Sequence, residues 1–181
     1  MRADRRRLLK TLAATAAGAT VAPRAEARAR FRAPAQAVGM LYDATRCIGC
    51  KACMVACREA NNLPLGQPGS LYDAPVDLSP SAATVVRLQR RNGQYSFIKS
   101  QCMHCVDPAC ASACMLGALH KRLPDGVVTY DPERCIGCRY CQIACPFNVP
   151  RFEWNVAFPR IIKCELCRQR LDGGDVPACV A

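Results

Sequence analysis

Residues 134–150 read RCIGCRYCQIACPFNVP. Four thiols, Cys135, Cys138, Cys141 and Cys145, stand two, two and three residues apart, and Pro146 follows the last. Eighty-eight residues earlier the same spacing holds Cys47, Cys50, Cys53 and Cys57. At that constant offset Tyr42, Asp43, Arg46, Ile48, Gly49 and Ala56 recur as Tyr130, Asp131, Arg134, Ile136, Gly137 and Ala144, so the two stretches are internal repeats. A second group, Cys102, Cys105, Cys110 and Cys114, is spaced two, four and three apart. A fourth holds Cys164, Cys167 and Cys179. These fifteen cysteines in 181 residues are several times the ordinary content.

The spacing selects the chemistry. An iron–sulfur cube needs one thiolate at each of four corners. Cysteines spaced by two and two let one tight loop cover three corners, while a fourth, just ahead of a proline, turns away to a neighbouring cluster. Gly49 and Gly137 lie inside these loops, where the backbone turns sharply and its N–H groups face sulfur. Disulfides are the first alternative, because exported cysteines usually pair. Four thiols within eleven residues, twice over, and an odd total argue against them. Zinc also takes four thiolates, and the fourth group alone is spaced loosely enough for it; the first and third are too dense. A radical enzyme would carry a third cysteine three residues after a Cys-x3-Cys pair. Those positions hold Ala60, Gly117 and Asn148.

The formal charge of +11 invites a nucleic-acid reading, and the amino terminus removes much of it. Arg5, Arg6 and Arg7 precede Leu8, Leu9 and Lys10, a mildly apolar stretch runs from Thr11 to Val21, and Ala-x-Ala sites follow at Ala25–Ala27 and Ala27–Ala29. This order reads as a secretory leader of the twin-arginine type, which carries folded, metal-loaded cargo. Cleavage after Ala29 takes seven basic and two acidic residues and leaves +6. No aromatic residues interleave a basic stripe, so no nucleic-acid partner is expected. No apolar run reaches the roughly 18 residues of a spanning helix. Each oxidised 4Fe–4S cluster with its four thiolates carries about −2, so the surplus cations balance the metal.

Helices are expected near Ala52–Ala60 and Pro108–Cys114. Strands are expected over Thr84–Gln89 and Tyr95–Lys99, joined at Asn92–Gly93, over Val127–Tyr130, and over its counterpart Met40–Asp43. Residues 61–81 form a connector rich in Pro, Gly and Ser. His104 reads as a neighbour of the ligands, because imidazole-ligated clusters need two histidines. His120 reads as exposed. Phe152 and Trp154 are expected beneath a cluster. Arg139, Lys163, Arg168 and Arg170 are solvated cations by default, and tuning of a cluster or docking of a partner is their alternative role. Cys114 is followed by Met115, not proline, so its turn is expected to be looser.

Four such groups in this order resemble the four-cluster iron–sulfur electron-transfer subunits of molybdopterin oxidoreductases and hydrogenases, and most closely the hydrogenase-2 (HybA) type. The resemblance runs from about Leu41 to Val180. Its motifs are Cys47–Cys50, QCMHCVDP (101–108), RCIGCRYC (134–141) and CPFNVP (145–150). It implies an α+β fold of two nested bacterial-ferredoxin-like two-cluster modules, with short helices, small hairpins and much irregular loop. Residues 1–29 would be the signal peptide, 30–98 plus 151–181 the outer module, incomplete at its carboxyl end, and 99–150 the inserted module.

The resemblance also implies the ligand sets. Cys102, Cys105, Cys110 and Cys145 would hold one 4Fe–4S cluster. Cys135, Cys138, Cys141 and Cys114 would hold a second. Cys164, Cys167, Cys179 and Cys57 would hold a third. Cys47, Cys50 and Cys53 would hold three corners of a fourth, whose last ligand is expected just beyond Ala181, as in a truncated chain. The implied function is a non-catalytic, periplasmic relay, peripheral to the inner membrane, between hydrogenase small and large subunits and an integral-membrane quinone-reactive subunit. Service to a nitrite reductase or molybdopterin oxidoreductase is the alternative within the family. A zinc-stapled structural or binding module is the alternative of another class.

Overall fold

Short elements and long irregular loops follow from a sequence whose apolar residues are mostly small and never sustain a long periodic face. A computed structural model describes residues 32–64, 75–154 and 156–181. The leader-like residues 1–29 and part of the connector, 65–74, lie outside them. In chain order the elements are α1 (Ala52–Ala60), β1 (Val85–Arg91), β2 (Gln94–Ser100), α2 (Ala109–Ser112), β3 (Leu119–Lys121), β4 (Val128–Tyr130), a 3-10 turn (Pro132–Arg134), α3 (Tyr140–Ala144), β5 (Arg151–Phe152), β6 (Ile161–Ile162) and α4 (Arg168–Asp172). The strands form three antiparallel pairs, β1–β2, β3–β4 and β5–β6. Residues Ala33–Ala181 form one compact unit. No helix among the described residues is long and apolar enough to cross a membrane.

The β1–β2 hairpin has the predicted turn. Arg91 pairs with Gln94, and the two residues between, Asn92 (φ +51°) and Gly93 (φ +76°), are both left-handed, as a two-residue hairpin loop requires. The hairpin's base, Val85 and Val86, is buried and its tip exposed. The expected strand at Met40–Asp43 does not form. That segment bonds through side chains instead: the Tyr42 hydroxyl donates to the Phe97 carbonyl (2.8 Å), and Met40 Sδ accepts from Lys99 and Gln101. These are side-chain bonds to β2 and the residue after it, and the segment enters none of the described sheets.

The buried apolar residues fall into three small clusters, and each has cysteines packed against it or within it. Val85, Val86 and Met54 meet Cys47, Cys53, Cys102 and Cys145. Leu119, Val128 and Phe152 meet Cys110, Cys114, Cys135 and Cys141. Val127 and Leu166 meet Cys164 and Cys102. So little apolar core leaves the fold dependent on whatever joins the thiols.

The β3–β4 turn is fixed by a charge cluster. Arg122 bonds both oxygens of Asp125 and both of Asp172, and the Asp125 carboxylate also accepts from the Val127 N–H (3.0 Å). Burial pushes Asp125 up, but the Arg122 guanidinium and the Val127 N–H outweigh it and hold the carboxyl below its ordinary 3.8. Its contribution is therefore present above about pH 4 and lost as the pH falls below that. Asp125→Ala is expected to cost about 1–2 kcal/mol in chemical denaturation at pH 7, with the gap to the parent chain closing at acid pH. An equal deficit at pH 3 and pH 7 would contradict the role given to this carboxylate.

Candidate metal centres

One backbone device closes the first Cys-x2-Cys loop of each of the four groups. The third residue of each is left-handed: Gly49 (φ +73°), His104 (φ +45°), Gly137 (φ +71°) and Leu166 (φ +51°). In three of the four the turn aims that residue's N–H at the first sulfur of its loop. Gly49 donates to Cys47 Sγ and Leu166 to Cys164 Sγ, both at 3.4 Å, and the His104 N–H bonds Cys102 in the same way. Glycine reaches this conformation freely, whereas His104 and Leu166 do so at a cost of about 1–2 kcal/mol each.

The repeat seen in the sequence is also a repeat of bonds. Lys51 (φ +63°) and Arg139 (φ +66°) follow the second cysteine and open α1 and α3. The Met54 and Val55 N–H groups donate to the Lys51 carbonyl, and those of Gln142 and Ile143 donate to Arg139. Upstream, Asp43 accepts from the Thr45 N–H and Asp131 from the Glu133 N–H. Burial, and then the adjacent thiols Cys47 and Cys135, raise Tyr42 and Tyr130 well above the ordinary phenol range.

The loops bring thiols together from distant parts of the chain. Cys114, Cys135, Cys138 and Cys141 line one recess, whose walls are mostly apolar, Ala118, Ile136, Phe152 and Ile161 among them, with Arg134 and Arg139 also lining it. Burial pushes the Cys141 thiol up to about 12, and Cys135, Cys110 and Cys114 add to the rise against the opposing Gln142 N–H. Cys102 and Cys110 are raised by burial and both feel Cys145; Cys102 also feels Cys105. Cys57 is pushed up to about 12 by burial and then by Cys164, Cys167 and Cys179. Asn61, one helical turn beyond Cys57, sets its amide 3.8 Å from Cys57 Sγ and 3.6 Å from Cys167 Sγ. Cys53 is raised by burial and neighbours Cys179, Cys50 and Cys47, while Lys99, 3.1 Å from Cys179 Sγ, opposes the rise. Cys179 thus faces both Cys57 and Cys53.

These sites suit an inorganic cluster. The donors are thiols throughout, set in mostly apolar walls. The Tyr130 hydroxyl is buried beside Cys135. Among the described residues no three His, Cys, Asp or Glu side chains stand close enough to hold a single metal ion. A zinc ion with bonds of about 2.3 Å would draw its four sulfurs to within about 3.8 Å of one another. All fifteen thiols are free.

Three sequence expectations need correction or extension. The turn after Cys114 is not loose: the Gly117 N–H closes it on the Cys114 carbonyl (3.1 Å), as the Asn148 N–H closes the one after Cys145 (3.0 Å), with Gly117 and Asn148 both left-handed. Phe152 lines the recess, but Trp154 is exposed and carries the Arg139 guanidinium 3.8 Å over its ring. Lys163 is not a solvated cation; it is buried, bonded to the Val128 and Cys164 carbonyls. Asn61 and Lys99 were not singled out by the cysteine pattern, although Asn61 lies one helical turn from a ligand candidate. His120 is exposed, as expected, and contacts Thr129.

Comparison with known proteins agrees with this reading. Residues 46–118 match a 4Fe-4S dicluster domain, and residues 93–181 match a second. Hydrogenase-2 operon protein HybA of Escherichia coli O157:H7 is 44% identical over 158 residues, covering 79% of this chain and 48% of the relative. The iron-sulfur subunit of the nitrate-inducible formate dehydrogenase of Escherichia coli K12 is 43% identical over 149 residues, covering 79% of this chain and 50% of the relative. A protein of Nitratidesulfovibrio vulgaris Hildenborough is 44% identical over 98% of this chain and 50% of its own length. The chain spans about half the length of the curated relatives it matches.

The two loop glycines separate backbone freedom from space. A Cβ on Gly49 would stand 2.3 Å from the Phe97 ring, whereas one on Gly137 meets nothing nearer than Pro159 at 3.8 Å. Gly137→Ala is expected to cost about 1–2 kcal/mol, the left-handed penalty alone. Gly49→Ala should cost more and also displace the β1–β2 hairpin. Equal losses in thermal or chemical denaturation would contradict the contact with Phe97.

Proposed function

The chain belongs to the 4Fe–4S electron-transfer subunit family, and from that membership we propose that it relays single electrons between a periplasmic hydrogenase and a quinone-reactive membrane partner. When bound, 4Fe–4S clusters supply reversible one-electron centres. The chain's own residues hold these centres, keep them apart from solvent and set the charge around them. The observation that carries the proposal is the convergence of Cys114, from one group, on Cys135, Cys138 and Cys141 of another, with Cys145 crossing in the opposite sense to Cys102 and Cys110. Such an exchange of fourth thiols sets two clusters side by side.

In this reading Cys135, Cys138, Cys141 and Cys114 hold one cluster, and Cys102, Cys105, Cys110 and Cys145 hold its neighbour. Cys57, Cys164, Cys167 and Cys179 hold a third. Cys47, Cys50 and Cys53 supply three thiolates to a fourth. Residues 99–150 then form an inner two-cluster module, and 30–98 with 151–181 an outer one. The basic leader at residues 1–29 would export the loaded protein by the twin-arginine route. Hydrogenase is named as donor on the likeness to the HybA relative; a formate dehydrogenase or nitrite reductase would use the same wire.

The test is metal analysis and EPR on anaerobically purified full chain. Roughly twelve or more irons per chain, with interacting signals on reduction, are expected. Cys145→Ser and Cys114→Ser should alter the signals of two different clusters. One or two metals per chain, or zinc without iron, would overturn the relay.

A further inference from the structure

The Val128 peptide holds two polar side chains by its opposite ends. Its N–H donates to His104 Nδ1 at 3.0 Å, and its carbonyl accepts from Lys163 Nζ. Because Nδ1 is the acceptor, the proton of the neutral ring sits on Nε2. That Nε2 is buried and has no partner. An orphaned buried donor is costly, about 1–3 kcal/mol, unless something in the working molecule accepts from it. The nearest carboxylate in the charge network, Asp125, is already taken up by Arg122 and the Val127 N–H. His104 itself belongs to the Cys102–Cys105 loop, where its backbone N–H already faces Cys102 Sγ.

Lys163 presents the matching problem for charge. It is 7% exposed, and its ammonium bonds only two carbonyls, those of Val128 and Cys164 (3.1 Å to the latter). No carboxylate among the described residues pairs with it. A buried cation without a counter-ion is strongly disfavoured. The groups it faces that could carry negative charge, as thiolates on a cluster, are Cys102 and Cys110 on one side and Cys164 on the other.

We propose that His104 donates a hydrogen bond from Nε2–H to the cluster held by Cys102, Cys105, Cys110 and Cys145, and that Lys163 is the buried counter-cation between that cluster and the one held by Cys164. The inference rests on the iron–sulfur reading above. Both groups favour the reduced, more negative state, so both raise the potential: His104 of one cluster, Lys163 of two. Both are positioning residues; neither is a ligand.

The test is an EPR-monitored redox titration of the full chain, wild type against His104→Phe, His104→Gln, Lys163→Met and Lys163→Arg, each at measured iron content. His104→Phe should lower one midpoint potential by about tenfold in its one-electron equilibrium, about 59 mV. His104→Gln, which keeps a donor, should restore much of it. Lys163→Met should lower two potentials, and Lys163→Arg should leave them near wild type. Independently of any variant, pulsed EPR of wild type labelled with histidine carrying 15N in the imidazole ring alone, so that the backbone N–H on Cys102 stays silent, should show a 15N coupling to a reduced cluster. The chain has two histidines, and His120 is exposed on β3, so the coupling reports His104. A wild-type chain that binds no iron overturns the relay reading together with this one. Full iron with unmoved potentials in the Phe and Met variants, or no nitrogen coupling, overturns this inference alone.

Discussion

A left-handed residue two places after a cysteine governs this molecule. It reverses the backbone within four residues, so both thiols of a Cys-x2-Cys loop can face one object, and in three of four loops it turns its own N–H onto the first sulfur. Gly49, His104, Gly137 and Leu166 make this left-handed turn in four loops of three sequences, CIGC twice, CMHC and CELC. The apolar clusters are small and each abuts cysteines, so the loops, more than any core, define where the chain goes. A geometry strained at His104 and Leu166 persists where surrounding bonds over-determine it, as functional sites commonly show.

Electrostatics works in the same direction. Burial makes thiolates unfavourable in the metal-free chain, lifting Cys57 and Cys141 to about 12 and Cys164 to about 11. On the proposed reading, loading the sites would displace those protons and couple metal binding to pH and to folding. Lys99 and Lys163 already stand among the sulfurs and offset part of the burial cost. The net positive charge of the sequence therefore has an internal destination for some of its cations as well as an external one.

Much of this was legible before any coordinates. The offset of 88 residues anticipated matched bonds at Asp43 and Asp131 and at Lys51 and Arg139, because identical spacing imposes identical turns. Asn92–Gly93 announced its hairpin through the positive φ both residues adopt. The strand expected at Met40–Asp43 from its repeat counterpart failed because the counterpart's pairing strand, β3, has no equivalent bonded to this segment, which meets β2 through side chains instead. Proline was too narrow a marker for the turn after Cys114, since a left-handed Gly117 closes it equally well. His104 and Leu166 were unreadable as turn residues because their side chains give no hint of a left-handed backbone. Lys163 and Trp154 were misplaced for a common reason: burial of a single side chain depends on which loops meet over it, a property of tertiary structure that local pattern does not encode.

The account is tested most directly by anomalous X-ray scattering from crystals of the anaerobically prepared protein, collected on either side of the iron edge. It predicts compact four-iron peaks at the meeting points of Cys114 with Cys135, Cys138 and Cys141, of Cys145 with Cys102, Cys105 and Cys110, and of Cys57 with Cys164, Cys167 and Cys179. A lone zinc peak at each of these points, or sulfur–sulfur bonds across them, would contradict it.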